Sequence, residues 1–523
     1  MGNRKNYYKI GLVIVLIYFA LLCLLYISEV PNPESNIQTF GDVVWYSVVT
    51  LTTVGYGDLT PVTTAGHLVG GIFLLLSMGL LVTLFSTAVS FLTGEALPML
   101  FLRFQRTKNW YYFCDFGPES DLMARDVIHN DKDAVIIFGG QKDKEMEVPD
   151  YPCYFLNDVP HRVVELKKEV GSQVKVFVMR ENDIYRNIKA VDIDRLPVEI
   201  YANTTNGQER ISEKMHFFHS YDCCARQYWM DHLLRRDESC IVIIGFGYFG
   251  DAILERAIMM NVIAPDQHVE YHIFGDATRF LQVHSKLSNV FAMNEKATDR
   301  DMLFFHESTW RNEHELMARA DRIIICDDEE VNSWDILWKL KRYYVVNGEL
   351  HIRSNQKVPD IECFGSAEDI YTCENILKTV QNHAAIVLNN QYKRMNPKNF
   401  IEWDDLDDLL KLSKIAVADH LIMKCRILLW DDELSELNKR NCENAYEKYS
   451  HLRCNAELRE NYRAIEHLRW LRYYSFYNWT YGPVADDRLR EHPMMVPYEE
   501  LTHEQKRSRD YSWELLHTIR DLL

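Results

Sequence analysis

The apolar residues of this chain are gathered at one end. Residues 10–28 carry no charged side chain, and residues 59–94 carry none unless His67 is protonated. The run from Tyr7 to Ile27, at ~1.5 Å per helical residue, reaches the ~30 Å thickness of a bilayer core. Arg4, Lys5 and Lys9 precede it, and Pro31 and Pro33 follow it. The run is too long for the apolar core of a cleaved signal peptide and lacks small residues before a cut site, so it predicts a retained helix. A second run, Ala65 to Thr93, is followed by Arg103, Arg106 and Lys108. Basic residues outside both runs, and Glu29, Glu34, Asp42 and Asp58 between them, place both termini in the cytoplasm by the positive-inside rule.

The segment between the runs predicts a short helix over residues 40–52, too short to span, then Thr50-Leu51-Thr52-Thr53-Val54-Gly55-Tyr56-Gly57-Asp58. A short helix that dips in and an extended return form a re-entrant hairpin, which is tolerated at membrane depth where it is buried or lines a water path. A dehydrated potassium ion needs a cage of oxygens. Successive carbonyls supply one if the backbone alternates in handedness, which Gly55 and Gly57 permit without a Cβ penalty. Thr53 adds a hydroxyl at the inner end. Val54 and Tyr56 turn away toward the short helix, with Trp45 and Tyr46 as neighbours and Asp58 as further support. The helix directs its negative C-terminal end at the ion path.

These residues closely resemble the signature filter of two-helix potassium channels: Thr50, Thr52, Thr53, Gly55, Tyr56, Gly57, Asp58 and Trp45 all match. The resemblance implies that carbonyls from Thr53, Val54, Gly55, Tyr56 and Gly57 hold K+, the permeant ion. One hairpin makes one wall of such a filter, so the resemblance also implies a homotetramer in a lipid bilayer, the cell (inner) membrane. Gly79, midway along the second run, is a candidate gating hinge, with close helix packing as the other reading. Gly70 and Gly71 suit packing against the short helix.

Beyond residue 109 the pattern becomes strand–helix–strand. Tyr111 to Gly117 reads as a strand and turn, Pro118 to Ile128 as a helix, and Ala134 to Phe138 as a strand. A second unit opens with the buried strand Cys240 to Ile244. The turn Gly245-Phe246-Gly247-Tyr248-Phe249-Gly250 and a helix to Met260 follow. A GxGxxG turn between strand and helix brings a phosphate close to the helix N-terminus. Gly245, Gly247 and Gly250 are therefore candidate nucleotide-binding residues, and Asp276 a candidate ribose partner. A ligand-free tight turn is the alternative. The two units look like copies, and this tandem Rossmann arrangement behind a two-helix pore resembles RCK domains, the regulators of potassium conductance. That family builds a cytoplasmic gating ring. The first copy retains only Gly117 of its glycine turn, which suits assembly rather than ligand binding.

The C-terminal part is helical and aromatic-rich. Glu466 to Trp470, Trp479 to Pro483, His492-Pro493 and Val496 to Leu501 resemble the RyR domain of ryanodine receptors. Arg469, Trp470, Trp479 and Tyr481 form a candidate second ligand site, a cage for a planar base and its phosphate. A plain aromatic core with snorkelling arginines is the competing reading.

Composition narrows the field. The chain has 523 residues, a formal charge of -18, and 26% charged residues, so it is folded and acidic and a poor partner for nucleic acid. Its twelve cysteines show no metal-binding spacing and read as reduced thiols. The expected fold class is an α-helical membrane pore, two α/β Rossmann-like units and an all-α RyR-like domain. The expected boundaries are 1–93 for the pore, 94–109 for a linker, 110–237 and 238–395 for the two units, and 396–523 for the last domain. The expected function is a ligand-gated potassium channel, not an enzyme, with NAD, ADP, ATP or a cyclic (di)nucleotide as gating ligand. A membrane-anchored NAD-dependent oxidoreductase and a defence effector channel triggered by a cyclic nucleotide are the competing functions.

Overall fold

A computed structural model describes every residue except 1, 94–95, 106, 140–146, 148, 157–162, 165–173, 181–197, 205–213, 378, 396–399, 432–433, 435–437, 453 and 520–523. For 2–15, 77–78, 80–81, 83–84, 87, 90–93, 96, 379–383, 394–395, 404 and 518–519 the backbone is described without the side chain. Two compact units result, residues 1–106 and 107–523. The expected boundary residues 94 and 396 fall outside the described residues.

The first unit is helical. Helix α1 (Gly2–Glu29) and helix α3 (Thr64–Thr93) cover the two apolar runs, and α2 (Phe40–Leu51) lies between them. Leu22, Leu25, Ile37, Val43, Val69 and Phe73 make its small core. Large apolar side chains face outward, among them Leu16, Phe19 and Ile27 on α1 and Leu68, Leu75, Val82 and Phe85 on α3. Among the described residues, which leave out the side chains of 2–15 on α1 and many of those of 77–93 on α3, no helix is long and apolar enough to cross a membrane. Residues 94–109, expected as a plain linker, contain a further helix, α4 (Ala96–Phe104). Pro98 sits in its first turn, where a missing N–H costs no intrahelical bond.

The second unit holds two parallel sheets of related topology. Strands β1 (Asn109–Phe113), β2 (Ala134–Gly139), β3 (Cys153–Leu156), β4 (Val174–Val178), β5 (Val198–Asn203) and β6 (Met215–Phe218) lie in the order β3-β2-β1-β4-β5-β6. The second sheet contains β7 (Cys240–Phe246), β8 (Glu270–Gly275), β9 (Ala292–Met293), β10 (Met302–His306), β11 (Arg322–Ile325), β12 (Glu349–Arg353) and β13 (Glu362–Phe364). Its order is β13-β12-β11-β7-β8-β10-β9. In both, the first strand is central and the chain fills one side before crossing to the other, as in a doubly wound dinucleotide fold, but in the second sheet β10 inserts between β8 and the edge strand β9. Both central strands are almost wholly buried, which is why they read as unbroken apolar runs. Helix α5 (Pro118–Asn130) follows β1 and α7 (Tyr248–Met260) follows β7. Helix α6 (Ser220–Asp231) joins the two halves, and its Trp229 Nε1 donates to Ile253 O of α7 at 2.8 Å.

Helix α8 (Glu330–Tyr343) follows β11. The longer helices that follow are α9 (Thr379–Met395), α10 (Asp408–Asp419), α11 (Leu421–Leu429), α12 (Lys439–Leu452), α13 (Ala456–Phe476) and α14 (Tyr511–Ile519). The all-α expectation for this part needs one correction, a short parallel pair, β14 (Thr480–Tyr481) with β15 (Glu491–His492). These helices dock on the second sheet through buried charge. Asp419 of α10 receives Arg226 at 3.1 Å and Arg256 at 3.0 Å, and Arg472 of α13 meets Asp301 at 2.7 Å.

Candidate functional site

In the first unit the hairpin is built outward from α2. Thr39 caps the helix in a reciprocal capping box with Asp42. Its last carbonyls hold the returning strand: Val48 O takes Thr52 N at 2.9 Å, and Val49 O takes Val54 N at 3.1 Å and Gly55 N at 3.3 Å. Backbone φ is positive at alternate residues: Thr53 at 60°, Gly55 at 59° and Gly57 at 72°. Thr53 is β-branched and disfavours this region, so its conformation is imposed by the segment.

Trp45 Nε1 donates to Asp58 Oδ2 at 2.9 Å, and the Trp45 and Tyr56 rings lie parallel with centroids 6.2 Å apart. Tyr46 faces elsewhere. Its ring packs against Phe73 of α3, and its hydroxyl lies 2.6 Å from where a Cβ on Gly70 would stand. Gly70 thus permits close packing of α3 on α2, whereas a Cβ on Gly71 or Gly79 would meet nothing within 4 Å. Helix α3 runs through Gly79 without a break.

In the sequence Glu29 served only as a loop charge, and its structural role was missed. Glu29, at the end of α1, is fully buried and accepts from Ser35 Oγ at 2.7 Å, Val62 N at 3.1 Å and Thr63 N at 3.0 Å. It joins the end of α1 to the start of α3. A buried acid with no basic partner nearby in the sequence was the available signal.

In the second unit the glycine turn forms at the end of β7. Gly245 has φ 92°, and a Cβ there would lie 2.5 Å from Asp327 N. A Cβ on Gly250 would lie 2.9 Å from Gly245 O. The N-terminus of α7 is already occupied. Asp328 accepts from Tyr248 N at 3.0 Å and from Phe249 N at 3.1 Å, where a phosphate would bind. The loop that carries it is pinned by Arg353, which donates to Asp327 O and Asp328 O at 2.8 and 2.7 Å. Beside this turn lies a cavity of about 220 Å³ lined by Asp222, Asp251 and Glu255 among others. Burial, reinforced by neighbouring carboxylates, raises Asp251 to about 6 and Glu255 to about 8. As folded, these residues do not fit a bound pyrophosphate. Asp276 caps its own turn, accepting from Thr278 N at 3.0 Å.

Among the described residues one group has metal-ligand spacing: donor atoms of Cys240, Glu270 and His272 lie within 4.8 Å of one another. Glu270 is already paired with Lys296 and with Arg319 at 2.6 Å, so a metal ion would meet two cations.

The four candidate cage residues of the C-terminal part do not converge. Arg469 is buried in an ion triad, 2.7 Å from Glu466, which also binds Lys424 at 2.9 Å. Trp479 packs edge-on against Tyr474 at 5.2 Å, and Tyr481 is exposed on β14. Trp470 instead lines a cavity of about 610 Å³ with Tyr474, Lys414, Tyr392, Arg509 and Tyr511.

Comparison with known proteins agrees with the two ends of the chain. The ion channel family model matches residues 11–94. These residues are similar to an ion channel domain. The RyR domain model matches residues 452–522. A voltage-gated potassium channel of Aeropyrum pernix is 35% identical over 98 residues, 18% of this chain and 33% of that protein. The human potassium voltage-gated channel subfamily A member 4 is 35% identical over 72 residues, 13% of this chain and 11% of its own length. The chain thus spans a third or less of these relatives, and the matched relatives are potassium channels, not enzymes. Among solved structures, GsuK bound to ADP aligns with 72% of this chain and 99% of its own, at 14% identity and a TM-score of 0.35. The hairpin from Thr50 to Asp58 lies inside the residues that the ion channel model matches.

Proposed function

We propose that four copies of this chain form a potassium-selective, ligand-gated channel. The observation that carries the reading is the alternating positive φ at Thr53, Gly55 and Gly57, on a strand tied at its base to α2 and at its outer end by the Trp45–Asp58 bond. Such a strand aims carbonyls of Thr53 to Gly57 at a common axis and replaces the hydration shell of K+. Gly55 and Gly57 face open space in one chain, which suits a wall completed by other copies.

In this reading α1 and α3 cross the bilayer with both termini cytoplasmic, and their outward apolar residues meet lipid and neighbouring subunits. The paired Rossmann-like sheets form the cytoplasmic ring, and α4 conveys its movement to α3, with Gly79 as hinge. A nucleotide-type ligand gates the pore by binding the open and closed rings with different affinity, since equal affinity shifts nothing. Asp328 on α7 disfavours the oxidoreductase alternative, whose cofactor pyrophosphate needs those amides.

The test is potassium flux from liposomes containing the purified chain, with barium as blocker. Gly55→Ala is expected to abolish selective flux while tetramers persist. Unchanged K+ over Na+ selectivity in that variant would overturn the filter assignment.

A further inference from the structure

Around the cavity that Trp470 lines, the described residues are short of negative charge. Lys424, Arg469 and Arg509 are all buried, Lys414 stands beside them, and Glu466 is the carboxylate that answers them. Glu466 is spent on Lys424 and Arg469. Arg509 is 3% exposed, its Nε has no hydrogen-bond partner, and its Nη2 reaches only the thioether Sδ of Met494, at 3.6 Å. No described carboxylate pairs with Arg509 or Lys414. Burial, then Arg469, lowers Lys414 to about 8, and burial lowers Arg509 as well. A buried cation without a counter-ion opposes folding, so a complementary anion would be strongly favoured there.

Both cations line the same 610 Å³ cavity, and aromatic rings flank them. Arg509 lies over the Trp470 ring at 4.6 Å, and Tyr474 tilts against Trp470 at 4.5 Å. Lys414 lies 4.6 Å from the Tyr392 ring and 6.0 Å from that of Tyr511. A cavity of this size takes a small molecule. Two cations match a phosphomonoester, which carries −1.5 to −2 charge at neutral pH, and the rings offer stacking faces for a planar group.

We infer that this cavity binds a planar aromatic phosphomonoester, with Arg509 and Lys414 on the phosphate and Trp470 and Tyr474 against the ring. The inference rests on the ligand-gated reading for its consequence, gating, and on the cavity itself for binding. It moves the ligand away from the glycine turn, where Asp328 stands in for an anion.

The experiment uses the full-length protein in detergent. Calorimetry measures binding of adenosine 5′-monophosphate and 4-methylumbelliferyl phosphate, with adenosine and inorganic phosphate as partial probes. At least one phosphomonoester is expected to bind, and both partial probes at least tenfold more weakly. Arg509→Gln and Lys414→Met are each expected to weaken binding tenfold or more, Arg509→Lys less, and Asp328→Ala not at all. Without ligand, Arg509→Met is expected to raise the melting temperature, because the unanswered charge is gone; a purely structural arginine would lower it. Absence of binding by both phosphomonoesters, or unchanged binding in Arg509→Gln and Lys414→Met, overturns the inference. Barium-blocked flux measured on the same preparation separates the two readings. Flux without binding sinks the cavity alone, and binding without flux sinks the pore alone.

Discussion

Asp328 Oδ2 lies 2.3 Å from the point where a Cβ on Gly247 would stand, so the glycine of this turn makes room for a side chain of the protein itself. The carboxylate closes the N-terminus of α7 with two backbone hydrogen bonds. An N-cap of this kind contributes about 1 kcal/mol. Asp328→Ala is therefore expected to lower the melting temperature modestly and to let ADP or inorganic phosphate restore it. In the parent protein the same anions should leave this turn unaffected. Hydrogen exchange at Tyr248 N and Phe249 N in both proteins decides the matter, and protection of these amides by ADP in the parent beyond that given by Asp328 would show that Asp328 moves aside.

Gly66 and Gly71 sit five residues apart on α3 and should respond in opposite ways to alanine. A Cβ on Gly66 would lie 1.9 Å from Glu29 Oε1 and 2.7 Å from Pro61 Cβ, while one on Gly71 would meet nothing within 4 Å. Gly66→Ala is expected to cost about 1–3 kcal/mol by overpacking and to reduce recovery of folded protein. Gly71→Ala should be near neutral unless a neighbouring subunit occupies that face. Size-exclusion profiles in detergent read both outcomes.

Glu29 gives a matching prediction. Replacing it by alanine leaves Val62 N, Thr63 N and Ser35 Oγ without their acceptor. Each buried donor left unmet costs about 1–3 kcal/mol, so Glu29→Ala should be among the most damaging changes in the first unit, and Glu29→Gln milder. Equal thermal stability of Glu29→Ala and the parent would remove the proposed tie between α1 and α3.

The hairpin was legible because its contacts are local. Nine consecutive residues carry both the turn glycines and the support, and Trp45 lies within reach of Asp58 in one hairpin. The central strands were legible because burial on both faces makes them continuous apolar runs. Partners distant in sequence were not legible. Asp328 and Tyr248 are eighty residues apart, and Glu29 and Thr63 thirty-four. Arg509, Lys414 and Trp470 come from different elements of the chain, so no window contains the cavity. Arg469 was the avoidable error. Glu466 stands three residues before it on the same helix, which is salt-bridge spacing, and that pair spoke for an internal ion cluster rather than a ligand.

Glu255 supplies a pH test. Burial is the largest cause of its raised value, about 8, followed by the neighbouring Asp222, with Arg256 opposing. A carboxyl whose pKa is higher folded than unfolded stabilises the protein fully below the unfolded value, near 4.5, and loses that contribution as pH rises through about 8. Stability should therefore fall between these limits. Glu255→Gln cannot ionise, so it should flatten this slope and be more stable than the parent at pH 8, with little difference at pH 5. Urea unfolding at both pH values reads the effect. Parallel pH profiles for the two proteins would show that Glu255 is ionised in the folded state at neutral pH, held by Arg256 against its acidic neighbours.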